Sequence, residues 1–506
     1  MKDSRGIRAK MNIITSIVGQ LVIIVCGIIV PRLMIGAFGT EAYGATASIA
    51  QFLAYITLLD GGVGGVARTV LYKPLADKDY KKISLIMGEI KRFFTVVAWI
   101  FSVYVLILAV SFKTISGLEV MNFTSTVLLV LAISVSTFGQ YFVGLSNYVF
   151  LKADQKIYIY NTLSAVVTLL NALGVSVLIY FDCNIIIVKL ASSFIFLIRP
   201  LIMALYVKKN YPLIKDKGVK GSVYLKDKWV GLGQHIAFFL HSNTDIAILT
   251  LCADLRAVAV YSVYNMVISH IQSLAISFSS GMEAVFGDML VRGEQKKLHD
   301  TFSAFETVLS LVSLVLFSTT AVLIVPFIKL YTAGVMDANY IEPLFAIVMI
   351  LASLTFCLRL PYNSVVIAAG HFKETSIAAY GEAIINIVLS MLLVFRYNLT
   401  GVAIATLFAT WFRFIYYVIY LRKNIFKRPI KLFIKRFAVN AGTFLCNYFI
   451  GGAIISGIIV NDYFWWAVCG VLSASAIGVF TLAVNFIFFR KDCCLLLKKV
   501  INKNAL

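Results

Sequence analysis

Long runs of apolar residues follow one another along almost the whole chain, and short polar segments separate them. A helix needs about 20 mostly apolar residues to cross the hydrocarbon core of a membrane. The runs are continuous and do not alternate with period two, so they indicate helices and not the strands of a barrel. The pattern predicts an all-α polytopic membrane protein with fourteen transmembrane helices at 12–36, 43–70, 93–111, 125–149, 158–180, 184–206, 230–251, 257–284, 302–328, 342–368, 376–395, 401–421, 437–460 and 464–489.

The lysines and arginines are unevenly divided between the two sets of connecting segments. If the N-terminus is cytoplasmic, 35 of the 45 basic residues fall on the cytoplasmic side. The opposite side holds only Lys113, Arg256, Lys329 and Arg396. This is a strong positive-inside signal, and a miscount of one helix would have scrambled it. We therefore expect both termini in the cytoplasm. The net charge of +21 then reflects topology and attraction to anionic lipid headgroups, and no nucleic acid partner is expected.

Composition excludes a soluble enzyme, because 60% of the residues are hydrophobic and only 14% are charged. The longest segment outside the predicted spans, 207–229, is too short for a catalytic or nucleotide-binding domain. No G-x-x-x-x-G-K-[ST] loop, CxxC pair or metal-binding histidine spacing is present in the sequence. The sequence therefore favours transport over enzymatic activity, without a cofactor or metal.

The two most basic connections predict how the chain is organised. The first, at 207–229, lies between predicted helices 6 and 7, and the second, at 422–436, precedes the last two helices. We expect an N-terminal six-helix lobe (1–206), a basic cytoplasmic linker (207–229), a C-terminal six-helix lobe (230–421) and a terminal helix pair with a basic tail (422–506).

The first two predicted helices carry a spaced set of residues that resembles the polysaccharide transporter family. This family belongs to the multidrug/oligosaccharidyl-lipid/polysaccharide exporter superfamily. The resemblance covers residues 12–92 by pattern and the remainder by topology. The matching residues are Pro31-Arg32, Phe38-Gly39-x-Glu41-x-Tyr43-Gly44, Asp60-Gly61-Gly62 and Arg68.

The resemblance implies two six-helix lobes in a V shape that open alternately to each side of the membrane. It also implies a cell inner membrane protein that flips undecaprenyl-pyrophosphate-linked oligosaccharides outward for O-antigen, capsule or exopolysaccharide synthesis. Multidrug relatives usually have twelve helices, so the extra pair at 437–489 favours a lipid-linked substrate. Membrane lipids, a glycan polymerase and a chain-length regulator are the further candidate partners.

Basic residues inside the predicted spans are the candidates for substrate binding. An ionisable residue at the membrane centre costs about 2.5–3.5 kcal/mol, so it suggests a function. Arginine binds phosphate oxygens through two parallel hydrogen bonds and stays charged at any working pH. We expect a cationic cavity for the pyrophosphate head, lined by Arg32, Arg68, Lys189, Arg359 and Arg413. The alternative is that some of these side chains reach the headgroups. It applies to Arg68 and Arg199, which lie near predicted cytoplasmic helix ends, and equally to Arg32 and Lys189.

A second set of residues in the spans is a candidate for ion coupling or gating: Asp60, His241, Asp245, Pro361 and Glu382. Asp60 precedes a glycine cluster that could serve as a hinge or as a packing seam of small residues. His241 and Asp245 lie four residues apart on one helix face, for proton or sodium coupling or for interhelical hydrogen bonding. Pro361 should kink its helix two residues beyond Arg359.

The predicted function is a flippase for lipid-linked oligosaccharides that works by alternating access with ion coupling. The main alternative is an ion-coupled multidrug or metabolite antiporter of the same superfamily. A glycan polymerase is disfavoured, because proteins of that kind commonly carry a large external loop and the external segments here are short.

Overall fold

The computed structural model of the chain describes residues 2–60, 63–214, 232–279, 281–426 and 428–493. These residues form helices and no strands. Short 3-10 or π-helical segments lie at Tyr55–Asp60, Gln140–Gly144 and Arg422–Phe426. The α-helices are α1 (Lys2–Ala54), α2 (Val63–Asp77), α3 (Tyr80–Ser116), α4 (Phe123–Gly139), α5 (Leu145–Ala153), α6 (Ile157–Tyr180), α7 (Ile185–Asn210), α8 (Leu232–Cys252), α9 (Leu255–Ser279), α10 (Met282–Val291), α11 (Gln295–Tyr331), α12 (Pro343–Ala368), α13 (Phe372–Leu421), α14 (Ile430–Ser456) and α15 (Tyr463–Phe488).

The described part of the chain contains eleven helical stretches that are long and apolar enough to cross a membrane. Two of them have a backbone break, at Gly39 in α1 (φ 81°) and at Asn398 in α13 (φ 46°). Glycine has no Cβ and asparagine is among the few other residues that tolerate positive φ, so both residues suit such a break. Each break divides one stretch into two segments, so the eleven stretches give thirteen segments. Helix α8 adds one more, which makes fourteen. The multi-pass helical fold is thereby confirmed for the described residues, and the number of segments agrees with the fourteen predicted membrane helices.

The structure corrects the predicted boundaries of the first two helices. Helix α1 continues through Pro31, and the chain breaks only at Gly39. The second predicted helix, 43–70, is interrupted by the 3-10 segment at Tyr55–Asp60. That segment ends directly before the first glycines of the cluster, which lie outside the described residues. Hydropathy could not locate either break, because both lie within apolar sequence.

The chain forms two compact units. Unit 1 comprises residues 1–239 and 254–259, and unit 2 comprises residues 240–253 and 260–506. Within unit 1, α1 packs against α6, α4 against α7, and α3 against α4. Within unit 2, α12 packs against α11 and α13, while α14 and α15 pack against each other and against α11. The predicted domain boundaries stay predictions.

Glu41, which belongs to the sequence motif at residues 38–44, has a structural role within unit 1. The Glu41 carboxylate accepts hydrogen bonds from the backbone N–H groups of Glu119 (2.9 Å) and Val120 (3.3 Å). Its second oxygen lies 3.8 Å from the Arg256 guanidinium. Glu41 therefore holds the segment between α3 and α4 and the start of α9 beside the break at Gly39.

Gly44 lies where α1 closely approaches the start of α9. A Cβ at this position would be 1.8 Å from the Leu255 carbonyl oxygen, which belongs to the backbone and cannot rotate away. Residue 44 must therefore be glycine for α1 and α9 to pack at this distance.

Gly44→Ala is expected to lower the free energy of unfolding by about 1–3 kcal/mol, the usual range for overpacking a close contact. Thermal unfolding of the purified protein in detergent measures this loss. Gly36→Ala is the matched control on the same helix, because no atom lies within 4 Å of a Cβ there. A Gly44→Ala protein as stable as Gly36→Ala would contradict the close approach.

Candidate functional site

Three charged side chains that the sequence singles out meet inside unit 2. One oxygen of Glu382 accepts a hydrogen bond from Arg359 (2.5 Å) and the other accepts one from Arg413 (2.6 Å). Arg413 also donates to the Tyr417 hydroxyl at 2.8 and 3.0 Å. The Arg359 guanidinium lies 4.9 Å from the centre of the Phe356 ring. We call Arg359, Glu382 and Arg413 the charge triad.

The break in α13 brings the triad together. Glu382 belongs to the segment of α13 before Asn398, and Arg413 belongs to the segment after it. Although 31 residues separate Glu382 from Arg413, both contribute to one site, and α12 supplies Arg359 from the neighbouring helix.

The triad has one more positive charge than negative charge. Glu382 is fully buried, the Arg359 side chain is 5% exposed and the Arg413 side chain is 13% exposed. A buried ion is tolerated only when opposite charge and hydrogen bonds compensate for its lost hydration. Glu382 supplies this compensation to both arginines, which leaves a net charge of +1 among the three side chains.

A second polar cluster in unit 2 surrounds Asp245 of α8. One carboxylate oxygen accepts hydrogen bonds from the Tyr261 hydroxyl (2.9 Å) and the Thr406 hydroxyl (3.1 Å). The other accepts one from the Asn386 amide (3.2 Å). Asp245 is 7% exposed and Asn386 is fully buried. Helices α8 and α9 and both segments of α13 thus contribute to one site, which we call the Asp245 cluster.

Oxygen atoms converge on the Thr406 hydroxyl within this cluster. It lies 3.1 Å from the Asp245 carboxylate, 3.2 Å from the Asn386 amide oxygen and 3.1 Å from the Val402 carbonyl. A hydroxyl has one hydrogen to donate, so it can satisfy one of these three acceptors at a time. Carboxylate, amide, carbonyl and hydroxyl oxygens together are the ligands that hard cations prefer.

The charge triad and the Asp245 cluster are neighbours along α13. Glu382, Asn386 and Ser390 follow one another at intervals of four residues, which places them on one helix face, about 6 Å apart along the axis. Ser390 donates to the Asn386 amide oxygen at 3.2 Å. A displacement of either segment of α13 would therefore affect both sites.

The remaining predicted cations lie in unit 1, and each is half-buried: Arg32 on α1, Arg68 on α2 and Lys189 on α7. Arg68 donates to the Gly64 carbonyl of its own helix at 3.0 Å.

Three residues of the predicted coupling and gating set remain. The side chains of Asp60 and His241 lie outside the described part of the chain. Pro361 is buried within α12, two residues beyond Arg359, and the helix continues through it to Ala368.

A third charged cluster was missed by sequence reasoning. The Glu306 carboxylate on α11 accepts hydrogen bonds from the Tyr362 hydroxyl (2.5 Å) and from Arg428 (2.8 Å), and it lies 3.2 Å from Arg436. Arg436, on α14, also donates to Asp492 (2.5 Å). This cluster fixes the terminal helix pair to α11 and α12.

The signal for this cluster was present in the sequence. Glu306 lies inside the predicted span 302–328, so it should have been grouped with the other acidic residues of the spans. Arg428 and Arg436 belong to the basic segment 422–436, which the sequence predicts as a cytoplasmic connection. The structure shows them with 15% and 7% of their side chains exposed.

No protein-family model matches the sequence, and no curated protein sequence matches it. Solved structures do resemble the fold. The lipid II flippase MurJ, in an inward closed conformation, aligns with a TM-score of 0.72 at 16% identity over 95% of this chain and 99% of that chain.

Two MATE transporters also align. The eukaryotic MATE transporter AtDTX14 gives a TM-score of 0.58 at 13% identity over 84% of this chain and 97% of that chain. An inward-facing multidrug resistance MATE family transporter of the MOP superfamily gives 0.55 at 13% identity over 81% and 99%. At these identities the likeness establishes the fold, which is the fold that the sequence resemblance implies.

Proposed function

We propose that the chain is a flippase that moves undecaprenyl-pyrophosphate-linked oligosaccharide units across the cytoplasmic membrane for O-antigen, capsule or exopolysaccharide synthesis. The observation that carries the proposal is the extent of the likeness. The MurJ structure aligns over 95% of this chain, and the two MATE transporters over 84% and 81%. The difference in coverage, about 11–14% of this chain, is comparable to the combined length of α14 and α15, which have 27 and 26 residues.

The basic residues of the spans support an anionic substrate. Arg413 is the more exposed arginine of the charge triad, so it is the member that a pyrophosphate could reach first. Arg359 is paired with Glu382 and only 5% exposed, so it is the less accessible of the two arginines. Together with Arg32, Arg68 and Lys189, these residues are the proposed cations of an alternating-access pathway.

The Asp245 cluster is the proposed coupling site. Its convergent oxygens favour a small hard cation such as sodium, with Asp245 supplying the negative charge. Cation binding would hold α8, α9 and both segments of α13 together, and cation release would free them. Because the cluster lies one helical turn from the charge triad, ion binding can influence whether Glu382 keeps both arginines.

The likeness to the two MATE transporters supports one alternative, an ion-coupled multidrug or metabolite antiporter. A deletion strain separates the two functions. A flippase deletion is expected to lose surface polysaccharide and keep its drug susceptibility. Broad drug sensitivity with intact polysaccharide would favour the antiporter, whereas single repeat units at the surface would indicate a polymerase.

Arg413→Ala, expressed in the deletion strain, is expected to restore surface polysaccharide about tenfold less well than the wild-type protein, or worse, because a cation in a span is costly and retained for function. Immunoblotting of membranes checks that the protein level is unchanged. Arg396→Ala is the control, since that arginine is exposed and its guanidinium lies over Tyr397. Full export by the Arg413→Ala protein would contradict the proposed role.

A further inference from the structure

Arg199 occupies an unexpected place in unit 1. The sequence placed it near the cytoplasmic end of its helix, but α7 continues to Asn210. Eleven residues therefore follow Arg199 in the helix, or about 16 Å at 1.5 Å per residue. Arg199 therefore lies inside the apolar stretch Ile185–Asn210, eleven residues from its end, and the alternative that it reaches the headgroups stays a prediction.

A π-helical segment, Gln140–Gly144, packs against α7 beside Arg199. Two glycines permit the close approach: a Cβ on Gly139 would lie 2.0 Å from the Leu197 side chain, and one on Gly144 would lie 3.0 Å from Pro200. Leu197 and Pro200 flank Arg199 in sequence, so the π segment is fixed on both sides of the arginine. Single π turns inside α-helices frequently occur at functional sites.

Only neutral groups contact the Arg199 guanidinium within the described part of the chain. It donates to the Gln140 amide oxygen (2.5 Å) and to the Ser164 hydroxyl (3.4 Å), and it lies 5.1 Å from the centre of the Tyr160 ring. By contrast, each arginine of the charge triad has a carboxylate partner. A cation held inside a span without an anion is expensive, and it attracts an anionic ligand.

Arg199 lines a cavity of about 400 Å³ within unit 1. One water molecule takes up about 30 Å³ of liquid, so a phosphate or pyrophosphate group fits easily. Four hydroxyl side chains also line it: Thr57, Ser136, Thr137 and Tyr141. Thr57 and Ser136 donate to backbone carbonyls three residues earlier, Ala54 at 2.8 Å and Ile133 at 3.4 Å, so a bound phosphate would compete with these hydrogen bonds.

We propose that this cavity is an anion-binding site for a phosphate or pyrophosphate group, with Arg199 as its cation and Gln140 as the residue that orients it. Arginine pairs with phosphate oxygens through two parallel hydrogen bonds, which suits the guanidinium at this site. The assignment of the ligand to a lipid-linked pyrophosphate rests on the proposed function. The anion site itself follows from Arg199 and its cavity.

Gln140→Glu is the decisive variant. It places a carboxylate where the amide oxygen now accepts the Arg199 hydrogen bond, so the protein itself neutralises the arginine. If Arg199 serves only the packing of the helices, the new ion pair keeps or raises the thermal stability and no ligand binding is involved. If Arg199 binds an anion, the same change removes the binding without unfolding the protein.

The full-length protein, reconstituted in phosphatidylcholine nanodiscs, is tested for binding of radiolabelled inorganic pyrophosphate and, separately, of undecaprenyl pyrophosphate. Gln140→Glu and Arg199→Gln are each expected to weaken binding by about tenfold or more, because a charge-assisted contact is lost. Gln155→Glu makes the same charge change at an exposed position and should bind as the wild type does. If the Arg199→Gln protein does not fold, pyrophosphate binding by the Gln140→Glu protein is sufficient to test the site.

Binding by the Gln140→Glu protein at wild-type affinity, or no binding of either probe by the wild type, would overturn the site. Addition of phosphatidylglycerol distinguishes the sources of the phosphate. If phosphatidylglycerol competes with the pyrophosphate probes, the site binds lipid headgroups. If it does not compete, the site binds the pyrophosphate group. A deletion strain with normal surface polysaccharide would contradict the proposed function while this binding result stood.

Discussion

Glu382→Gln is expected to lower the free energy of unfolding by about 3–5 kcal/mol, the usual cost of breaking a buried ion pair by removing one partner. Glutamine keeps the size of the side chain but leaves Arg359 and Arg413 as two adjacent cations without an anion. Both are hydrogen-bonded to Glu382 now, at 2.5 and 2.6 Å. Thermal unfolding of the purified protein in detergent measures the change.

Glu294→Gln provides the comparison for this prediction. Glu294 forms an exposed pair with Lys297 at 2.8 Å, with 31% of its side chain accessible. Exposed pairs contribute about 0–1 kcal/mol, so the control should unfold close to the wild type. If Glu382→Gln is no less stable than this control, the charge triad does not stabilise unit 2.

Asp245→Asn is expected to remove the response of the protein to its coupling ion. The asparagine keeps nearly the same shape and can still accept hydrogen bonds from Tyr261 and Thr406. It lacks the charge that a cation needs, and charge on the ligands largely sets cation affinity. Wild-type protein should gain thermal stability as sodium is added at constant ionic strength, and the Asp245→Asn protein should gain none.

The same substitution is expected to reduce surface polysaccharide by about tenfold or more, because an ionisable group kept inside a span is retained for function. Asp182→Asn is the control, since Asp182 is exposed, lies between α6 and α7, and has a positive φ of 53° that asparagine tolerates. Thermal stability measured as a function of pH, in place of the sodium concentration, shows whether the coupling ion is a proton or a sodium ion. An Asp245→Asn protein with wild-type stabilisation by both ions would exclude the coupling site.

Much of the fold could be predicted from the sequence, because the apolar runs and the unequal distribution of basic residues are properties of the chain itself. The helix count needed only these two patterns. The exact breaks did not follow from them. Hydropathy predicts that the first helix ends at residue 36, whereas α1 passes through Pro31 and breaks at Gly39, where φ is 81°. A proline in a span can be tolerated, because neighbouring groups satisfy the freed backbone carbonyl.

The candidate site could be predicted in its members but not in its pairing. Glu382, Arg359 and Arg413 were recognisable as charges inside apolar sequence. Their contact depends on the chain break at Asn398, which no hydropathy window marks. Glu382 was expected to serve coupling and the arginines to serve the substrate, and those roles stay proposals. The structure adds that the carboxylate holds both arginines.

Arg199 and Glu306 show what the prediction of spans from runs of about 20 apolar residues misses. A window of this length ended the sixth predicted span at 206, and α7 continues to Asn210, so Arg199 lies deeper in its helix than expected. The window also included Glu306 without weighing its charge, although that residue joins Arg428 and Arg436 to α11. In both cases tertiary partners determine whether a charge can be accommodated.

Translocation by the purified protein in liposomes tests the central claim most directly. A synthetic undecaprenyl-pyrophosphate oligosaccharide is placed in the membrane, a sodium gradient is imposed, and a membrane-impermeant glycosidase reports the sugar that reaches the opposite face. We predict that the accessible fraction rises with the wild-type protein and stays at the protein-free level with Asp245→Asn. No rise with the wild-type protein, together with sodium-driven exchange of a cationic dye, would contradict the flippase and support the antiporter.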